Sequence, residues 1–367
     1  PAISPAVLSK VHELVAGGAT VIGPRPQRSN SLKDHPAADE QVQRLADELW
    51  GDCDGQAVKE HRFGRGRVIW NRTARKVLLA DGIGPDFQTL SFTMEDADEE
   101  APTEPLNYIH RRDDGTDIYF VCNGTDERVT ARVQFSVSGK APELWDPLSG
   151  RIRRLPAYEQ ADAHTAVPLE FAPFGSWFLV FRQSAETATP TLASPAANFP
   201  RFTQVGELAG PWTARFDPQW GGAASVEFPE LANWTQHSDR SIRFYSGTAT
   251  YIKTFDWSSS AMPTDDASRV YLDLGRVCQL AEVRLNGHQL GVLWAMPFRV
   301  DITDALRPGA NDLEIDVVNF WPNRIIGDAA LPPAQRRTRT NIRKLTAETP
   351  LMDSGLLGPV TLQIADW

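Results

Sequence analysis

Leu280-Ala281-Glu282-Val283-Arg284-Leu285-Asn286-Gly287-His288-Gln289-Leu290-Gly291 is the stretch on which the fold turns. Ala281, Val283 and Leu285 alternate with Glu282 and Arg284, the period of two expected of a half-buried strand. Asn286-Gly287 then supplies two residues that tolerate positive φ, as a tight hairpin demands. Downstream come Trp294, Pro297-Phe298, Asp301 to Leu306, the Pro308-Gly309-Ala310-Asn311 turn and an apolar run from Leu313 to Asn319. In physical terms the order is hairpin, aromatic-bearing loop, strand, capped helical turn, glycine turn and long buried strand.

Strands of the same kind are expected at Ala249 to Phe255, Arg269 to Leu274, Phe298 to Ile302, Asp312 to Val318 and Val360 to Ile364. Many short strands at this spacing favour a jelly-roll sandwich over a parallel sheet. Upstream, residues 183–200 are rich in Ala, Thr, Ser and Pro without periodicity and read as a linker. Before them, Asp117 to Val121, Thr130 to Val137 and Ser176 to Phe181 are strand-like, with turns at Asn123-Gly124, Ser138-Gly139 and Ser149-Gly150. This predicts a small antiparallel β-sandwich, entered through the acidic, Pro-containing stretch Glu95 to Pro105.

The first segment mixes periods. Ser4-Pro5 offers a cap with Pro at the first helical position, and Val7, Leu8, Val11, Leu14 and Val15 form a stripe ended by Gly17-Gly18. A second helix is expected over Asp39 to Trp50 and a third over Thr73 to Ala80, with strands at Ala19 to Ile22 and Gly66 to Trp70. No GxGxxG or Walker motif follows the first strand, so the βαβ rhythm reads as a small α/β remnant, not a nucleotide site. The expected fold class is therefore multidomain α+β, mainly β: α/β remnant 1–94, antiparallel sandwich 106–182, linker 183–200 and jelly roll 201–367.

Composition narrows the function classes. At 367 residues, 41% hydrophobic and 23% charged, the chain suits several globular cores, and no apolar run approaches a membrane span. The 47 acidic residues against 37 basic ones give a net charge of −10, which opposes nucleic-acid binding. Cys53, Cys122 and Cys278 are too scattered for a zinc knuckle or disulfide framework, no His pairing suggests a metal and no Asp-rich calcium loop is visible; no cofactor is expected. Cys53 lies between Asp52 and Asp54, which disfavour a thiolate there. The chain starts Pro-Ala-Ile-Ser without Met or a signal segment, and so reads as processed or cut from something longer. The sequence leaves room for a homo-oligomer.

The 280–319 order resembles the sugar-binding, galactose-binding-like jelly roll of family 2 β-galactosidases and their relatives. Glu143 to Arg151, Pro173 to Phe181, Asn319-Phe320-Trp321-Pro322-Asn323-Arg324-Ile325-Ile326-Gly327-Asp328 and Ser354-Gly355-Leu356-Leu357-Gly358-Pro359-Val360 look like the C-terminal region of the large family 106 α-L-rhamnosidases. The resemblance runs over nearly the whole chain. It implies a glycoside hydrolase type of protein, secreted or periplasmic, acting on or binding rhamnose- or galactose-containing oligo- or polysaccharides. In those proteins a preceding (β/α)₈ barrel carries the catalytic carboxylates, and no such barrel fits here.

Two readings follow: a glycosidase active in its own right, or a non-catalytic carbohydrate-binding part of a larger one. The first needs two carboxylates roughly 5–10 Å apart. Its candidates are Glu143 and Asp146, beside Trp145, and Glu348 and Asp353 before the final strand, each with the competing reading of a solvated or capping acid. For sugar contact the candidates are Trp294, Trp321, Asn323, Arg324 and Asp328: an indole stacks on a pyranose face, and the polar groups bond adjacent hydroxyls. Against this, Trp321-Pro322 could cap the sandwich and Arg324 with Asp328 could form an ion pair. The basic run Gln335 to Lys344 reads as a solvated loop, as the partner of a neighbouring acidic face, or as a grip on a phosphate or an acidic polysaccharide such as pectin.

Overall fold

The computed structural model describes residues 1–95, 104–184, 198–258, 268–341 and 344–367. Most of the acidic stretch after Glu95, most of the 183–200 linker, and Ile342 and Arg343 of the basic run lie outside the described residues. Two compact units are present, Pro1–Asp86 and Phe87–Trp367.

In the first unit, helices α1 (Pro5–Ala16), α2 (Ala37–Trp50) and α3 (Ala74–Ala80) accompany a three-stranded sheet. Ser4 caps α1 by accepting from the Val7 N–H, and Thr73 caps α3 by accepting from the Lys76 N–H. Thr20–Ile22 pairs parallel with Gly66–Ile69, the expected βαβ element, and Glu60–Phe63 adds an antiparallel third strand. That strand is partly solvated and polar, so it carried no hydrophobic period. The buried stripe of α1 is narrower than expected: Leu8 and Val15 enter the core, whereas Val7 and Leu14 are exposed.

The second unit is almost wholly β and holds two separate hydrophobic clusters. Around the first, a four-stranded sheet (Glu159–Gln160, Thr165–Phe171, Val129–Phe135, Phe87–Met94) accompanies a five-stranded one (Leu106–Asp113, Thr116–Asn123, Ser176–Ser184, Lys140–Trp145, Ile152–Arg154). Phe87–Met94, placed by expectation with the α/β segment, pairs along Val129–Phe135 and so is a sandwich strand. Its register partners are 35 or more residues away, beyond the reach of local periodicity.

The jelly roll follows. Its six-stranded sheet runs Val226–Phe228, Trp212–Phe216, Thr248–Trp257, Gly309–Val318, Leu280–Leu285, His288–Leu293, and its four-stranded sheet runs Arg201–Glu207, Thr361–Asp366, Arg269–Asp273, Arg299–Asp301. A two-stranded pair joins Arg276–Cys278 to Gly355–Gly358. The inward residues Ala281, Val283, Leu285, Leu313, Ile315 and Val317 are fully buried. Outward, Arg284 bridges Glu314 at 3.0 Å and Asp316 at 2.8 Å. Helices α4 (Arg240–Arg243) and α5 (Pro322–Ala329) lie outside the strands. No described helix is long and apolar enough to cross a membrane.

Candidate functional site

Strand register places five chain segments at one end of the six-stranded sheet. Thr248 and Leu280 both oppose Val318, Ala281 opposes Val317 and Leu293, and Phe216 opposes Ala249. The chain that leaves Phe216 therefore emerges at the same end as the chain entering Thr248, leaving Val318, entering Leu280 and leaving Leu293. Trp220, Trp321 and Trp294 sit on three of these segments, with exposures of 60%, 51% and 61%. The other tryptophans of this region divide: Trp212, Trp234 and Trp257 are core, and Trp367 is exposed. Trp294 and Trp321 were legible as candidates. Trp220 was not, because only the register shows that its loop shares their end of the sheet.

Helix α5 occupies the middle of that end, starting at Trp321 with Pro322 in its first turn. Asn323 faces inward and is spent on the fold: its Nδ2 donates to the Met352 carbonyl (2.7 Å) and Ser354 Oγ (3.0 Å), and its Oδ1 accepts from the Met352 N–H (2.8 Å). Asn319 donates to the same Ser354 Oγ (2.9 Å) and to the Tyr245 carbonyl (2.9 Å). These amides fasten the turn before the last strands to the helix, so Asn323 holds the rim together from below and its amide has no free edge to offer a ligand.

Arg324 and Asp328 lie one turn apart and are nearly buried, with Nη1 to Oδ1 at 3.9 Å. Asp328 Oδ2 accepts three bonds, from the Arg337 N–H (2.9 Å), the Thr338 N–H (2.7 Å) and Thr338 Oγ1 (2.7 Å), and so pins one end of the basic run onto α5. Arg324 Nε and Nη2 and Asp328 Oδ1 have no hydrogen-bond partner among the described residues. Burial pushes the Arg324 guanidinium below its ordinary value, with the Asp328 carboxylate opposing. Unpaired buried polar atoms cost roughly 1–3 kcal/mol each, which marks places where a ligand or water completes the bonding. Nε and Nη2 form one edge of the guanidinium fork, the geometry that takes two adjacent oxygens. Arg337 packs toward the Trp220 loop: a Cβ built on Gly221 would fall 2.6 Å from Arg337 Nε. Arg337 thus joins the turn after Trp220 to Asp328 and, one helical turn back, to Arg324.

The four candidate acids do not form a facing pair of free carboxylates. Glu143 is buried, and its Oε2 accepts from Trp145 Nε1 and Arg182 Nε, both at 3.0 Å. Asp146 organises its own turn, accepting from the Leu148 N–H (2.9 Å) and Ser149 Oγ (2.5 Å). Asp353 accepts from Asn233 Nδ2 (2.5 Å) and pairs with Arg276. Glu348 is exposed, and a hydrogen bond from Thr346 holds its carboxyl below the usual range. Burial, more than the flanking acids, raises the Cys53 thiol, so its inertness has a different first cause from the one expected. Among the described residues no group of three or more His, Cys, Asp or Glu could hold a metal.

The comparisons with known proteins place this sandwich and jelly roll beside glycoside hydrolases. The family 106 glycoside hydrolase model, alpha-L-rhamnosidase, matches residues 1–160, and the glycosyl hydrolase 2 galactose-binding domain-like model matches residues 233–349. The rhamnosidase from Novosphingobium sp. PP1Y is 35% identical, superposes with a TM-score of 0.80, and is covered over 32% of its length by 98% of this chain. A Formosa agariphila protein, provisionally named a beta-glucuronidase, is 23% identical over 99% of this chain and 50% of its own length. The chain thus spans about half of the curated relative and a third of the solved one. It resembles the C-terminal region of family 106 α-L-rhamnosidase-like glycoside hydrolases, with a family 2-type galactose-binding-like jelly roll, and the α/β unit lies within the matched region.

Proposed function

We propose that this chain is the glycan-holding part of a rhamnosidase-type glycosidase, and that its jelly roll receives a rhamnose- or galactose-containing oligosaccharide along the end of the six-stranded sheet. The observation that carries this is the emergence of exposed Trp220, Trp294 and Trp321 from that one end of the sheet. The strands that lead to Trp220 and Trp294 are four spacings apart, about 19 Å, which suits several sugar units better than one. Indole faces would stack on the apolar faces of the rings, while Arg324 and Asp328, nearly buried beneath the rim, would hold the Arg337-Thr338 segment in place. The likeness to a rhamnosidase supports rhamnose as the first sugar to test.

The structural tasks of Glu143, Asp146 and Asp353 favour binding over catalysis by these acids. Titration of the 367-residue chain with rhamnose-containing oligosaccharides should change its tryptophan fluorescence. Trp321→Ala and Trp294→Ala should each weaken binding by about 1–2 kcal/mol, in proportion to the lost stacking. Hydrolysis of nitrophenyl α-L-rhamnoside by the chain, abolished by Glu143→Gln or Asp146→Asn, would instead establish a self-sufficient glycosidase. Binding unchanged in both tryptophan variants would remove the rim from consideration.

A further inference from the structure

Charge is unevenly shared along this acidic chain. Residues 1–86 carry 12 Lys and Arg against 11 Asp and Glu, whereas the remaining residues carry 25 against 36. Within the first unit an open basin of about 620 Å³ is lined by Lys59, Asn71, Arg72, Thr73 and Lys76: three cations and no carboxylate. None of the three cations makes an ion pair among the described residues. The nearby acids are engaged elsewhere, for Glu60 (3.6 Å) and Asp81 (2.5 Å) both turn to Arg67.

The backbone under these side chains is fixed. The Trp70 N–H donates to the Lys59 carbonyl at 2.9 Å, tying the two arms of the basin together. Asn71 holds the left-handed conformation (φ 60°) and donates from Nδ2 to the Gly55 carbonyl at 2.9 Å, so the turn from strand to α3 is locked from the side. Arg72 and Lys76 are thereby presented from a set position. Gathering three like charges without a counter-ion is unfavourable, and an anion of matching size relieves it.

We infer that this basin binds an oxyanion carried on a saccharide: the carboxylate of a uronic acid or a sulfate ester. Its volume exceeds what a bare sulfate fills and falls in the range of sites for a small organic ligand. The choice of a saccharide as carrier rests on the glycan reading above; the requirement for an oxyanion rests on the basin alone. The site lies in a different compact unit from the tryptophan rim, so the two can be tested separately.

Calorimetric titration of the 367-residue chain with trigalacturonate, a sulfated galactose trisaccharide and a neutral galactose trisaccharide distinguishes the cases. The acidic probes should bind, more weakly at 200 mM than at 50 mM salt, and the Arg72→Ala/Lys76→Ala double variant should lose at least about tenfold in affinity for them. Both side chains are exposed, so the thermal midpoint should be unchanged. If carboxylate is the group recognised, affinity for trigalacturonate falls as pH drops through about 4 while that for the sulfated probe persists; binding of the sulfated probe alone assigns sulfate. Equal binding of the neutral trisaccharide, acidic probes held as well by the double variant as by the wild type, or no binding of either acidic probe would overturn the inference. Loss of rhamnoside binding in the tryptophan variants with these results intact would show the rim and the basin to be independent.

Discussion

At the scale of single residues, Tyr251 shows how burial sets a pH limit. Its hydroxyl lies in the jelly-roll core, accepts from Trp234 Nε1 at 2.7 Å and from the Leu356 N–H at 3.3 Å, and is pushed up to about 12, burial outweighing both bonds. The folded state therefore holds this proton more tightly than the unfolded chain, whose tyrosine titrates near 10. The resulting stability is complete below pH 10 and is lost as pH rises toward 12, at most about 3 kcal/mol. Tyr251→Phe should be less stable than wild type near pH 8 by about 1–3 kcal/mol, because Trp234 loses its acceptor, yet decline less steeply between pH 10 and 11.5. Urea unfolding across that range reads both effects, and parallel declines would refute the assignment. The amide cluster marks what sequence reading could not reach at this scale. Asn323 beside Trp321 had the residue types of a sugar contact, but its partners Met352 and Ser354 are about 30 positions away. Whether an amide is free or spent depends on such distant neighbours.

Among the elements, legibility followed length and one-sidedness. The Leu280–Leu285 strand alternates cleanly because one face is core and the other carries Arg284 toward Glu314 and Asp316. Three-residue strands such as Val226–Phe228 and Arg276–Cys278 are too short to show a period. Leu106–Asp113 is an edge strand buried only at its first residue, so its polar sequence gave no sign of pairing through the Asp114-Gly115 turn. The hairpin after Leu285 separates turn conformation from side-chain bonding. Asn286 (φ 52°) and Gly287 (φ 81°) both occupy the left-handed region, as this turn type requires. Asn286 also donates from Nδ2 to the Ala305 carbonyl (2.8 Å) and Asn311 Oδ1 (2.8 Å), and accepts from the Asp312 N–H (3.0 Å). Gly287 has open space around it, so Gly287→Ala should cost about 1 kcal/mol of backbone strain alone. Asn286→Ala should cost about 2–4 kcal/mol, adding three lost bonds to a worse turn residue. Equal losses in thermal unfolding would mean that the side-chain bonds contribute nothing.

For the molecule as a whole, the Phe87–Trp367 unit poses the question of how two separate cores act together. Arg153, on the sandwich strand Ile152–Arg154, places its guanidinium 5.1 Å from the Phe199 ring and 5.0 Å from the Trp367 ring. Phe199 belongs to the sandwich cluster, and Trp367 directly follows the jelly-roll strand Thr361–Asp366. Burial pushes Arg153 down to about 10, against a smaller opposing pull from Asp146, and its guanidinium faces the two rings. Cation–π contacts contribute about 0.5–2 kcal/mol each, more as water is excluded. Arg151 also reaches the jelly roll, 3.8 Å from Asp301 and hydrogen-bonded to Tyr271, but it is largely exposed and should contribute little. Arg153→Ala should therefore cost about 1–3 kcal/mol. It should also split the calorimetric transition of the unit into two, because the more buried of the links between the cores is lost. Arg153→Lys should recover only part of this, since an ammonium lacks the flat faces that stack between rings. Arg151→Ala should leave the single transition intact. One undivided transition at an unchanged temperature in Arg153→Ala would show that the two sandwiches are coupled elsewhere, and would move attention to the polar network of Arg269, Asp301 and Tyr271.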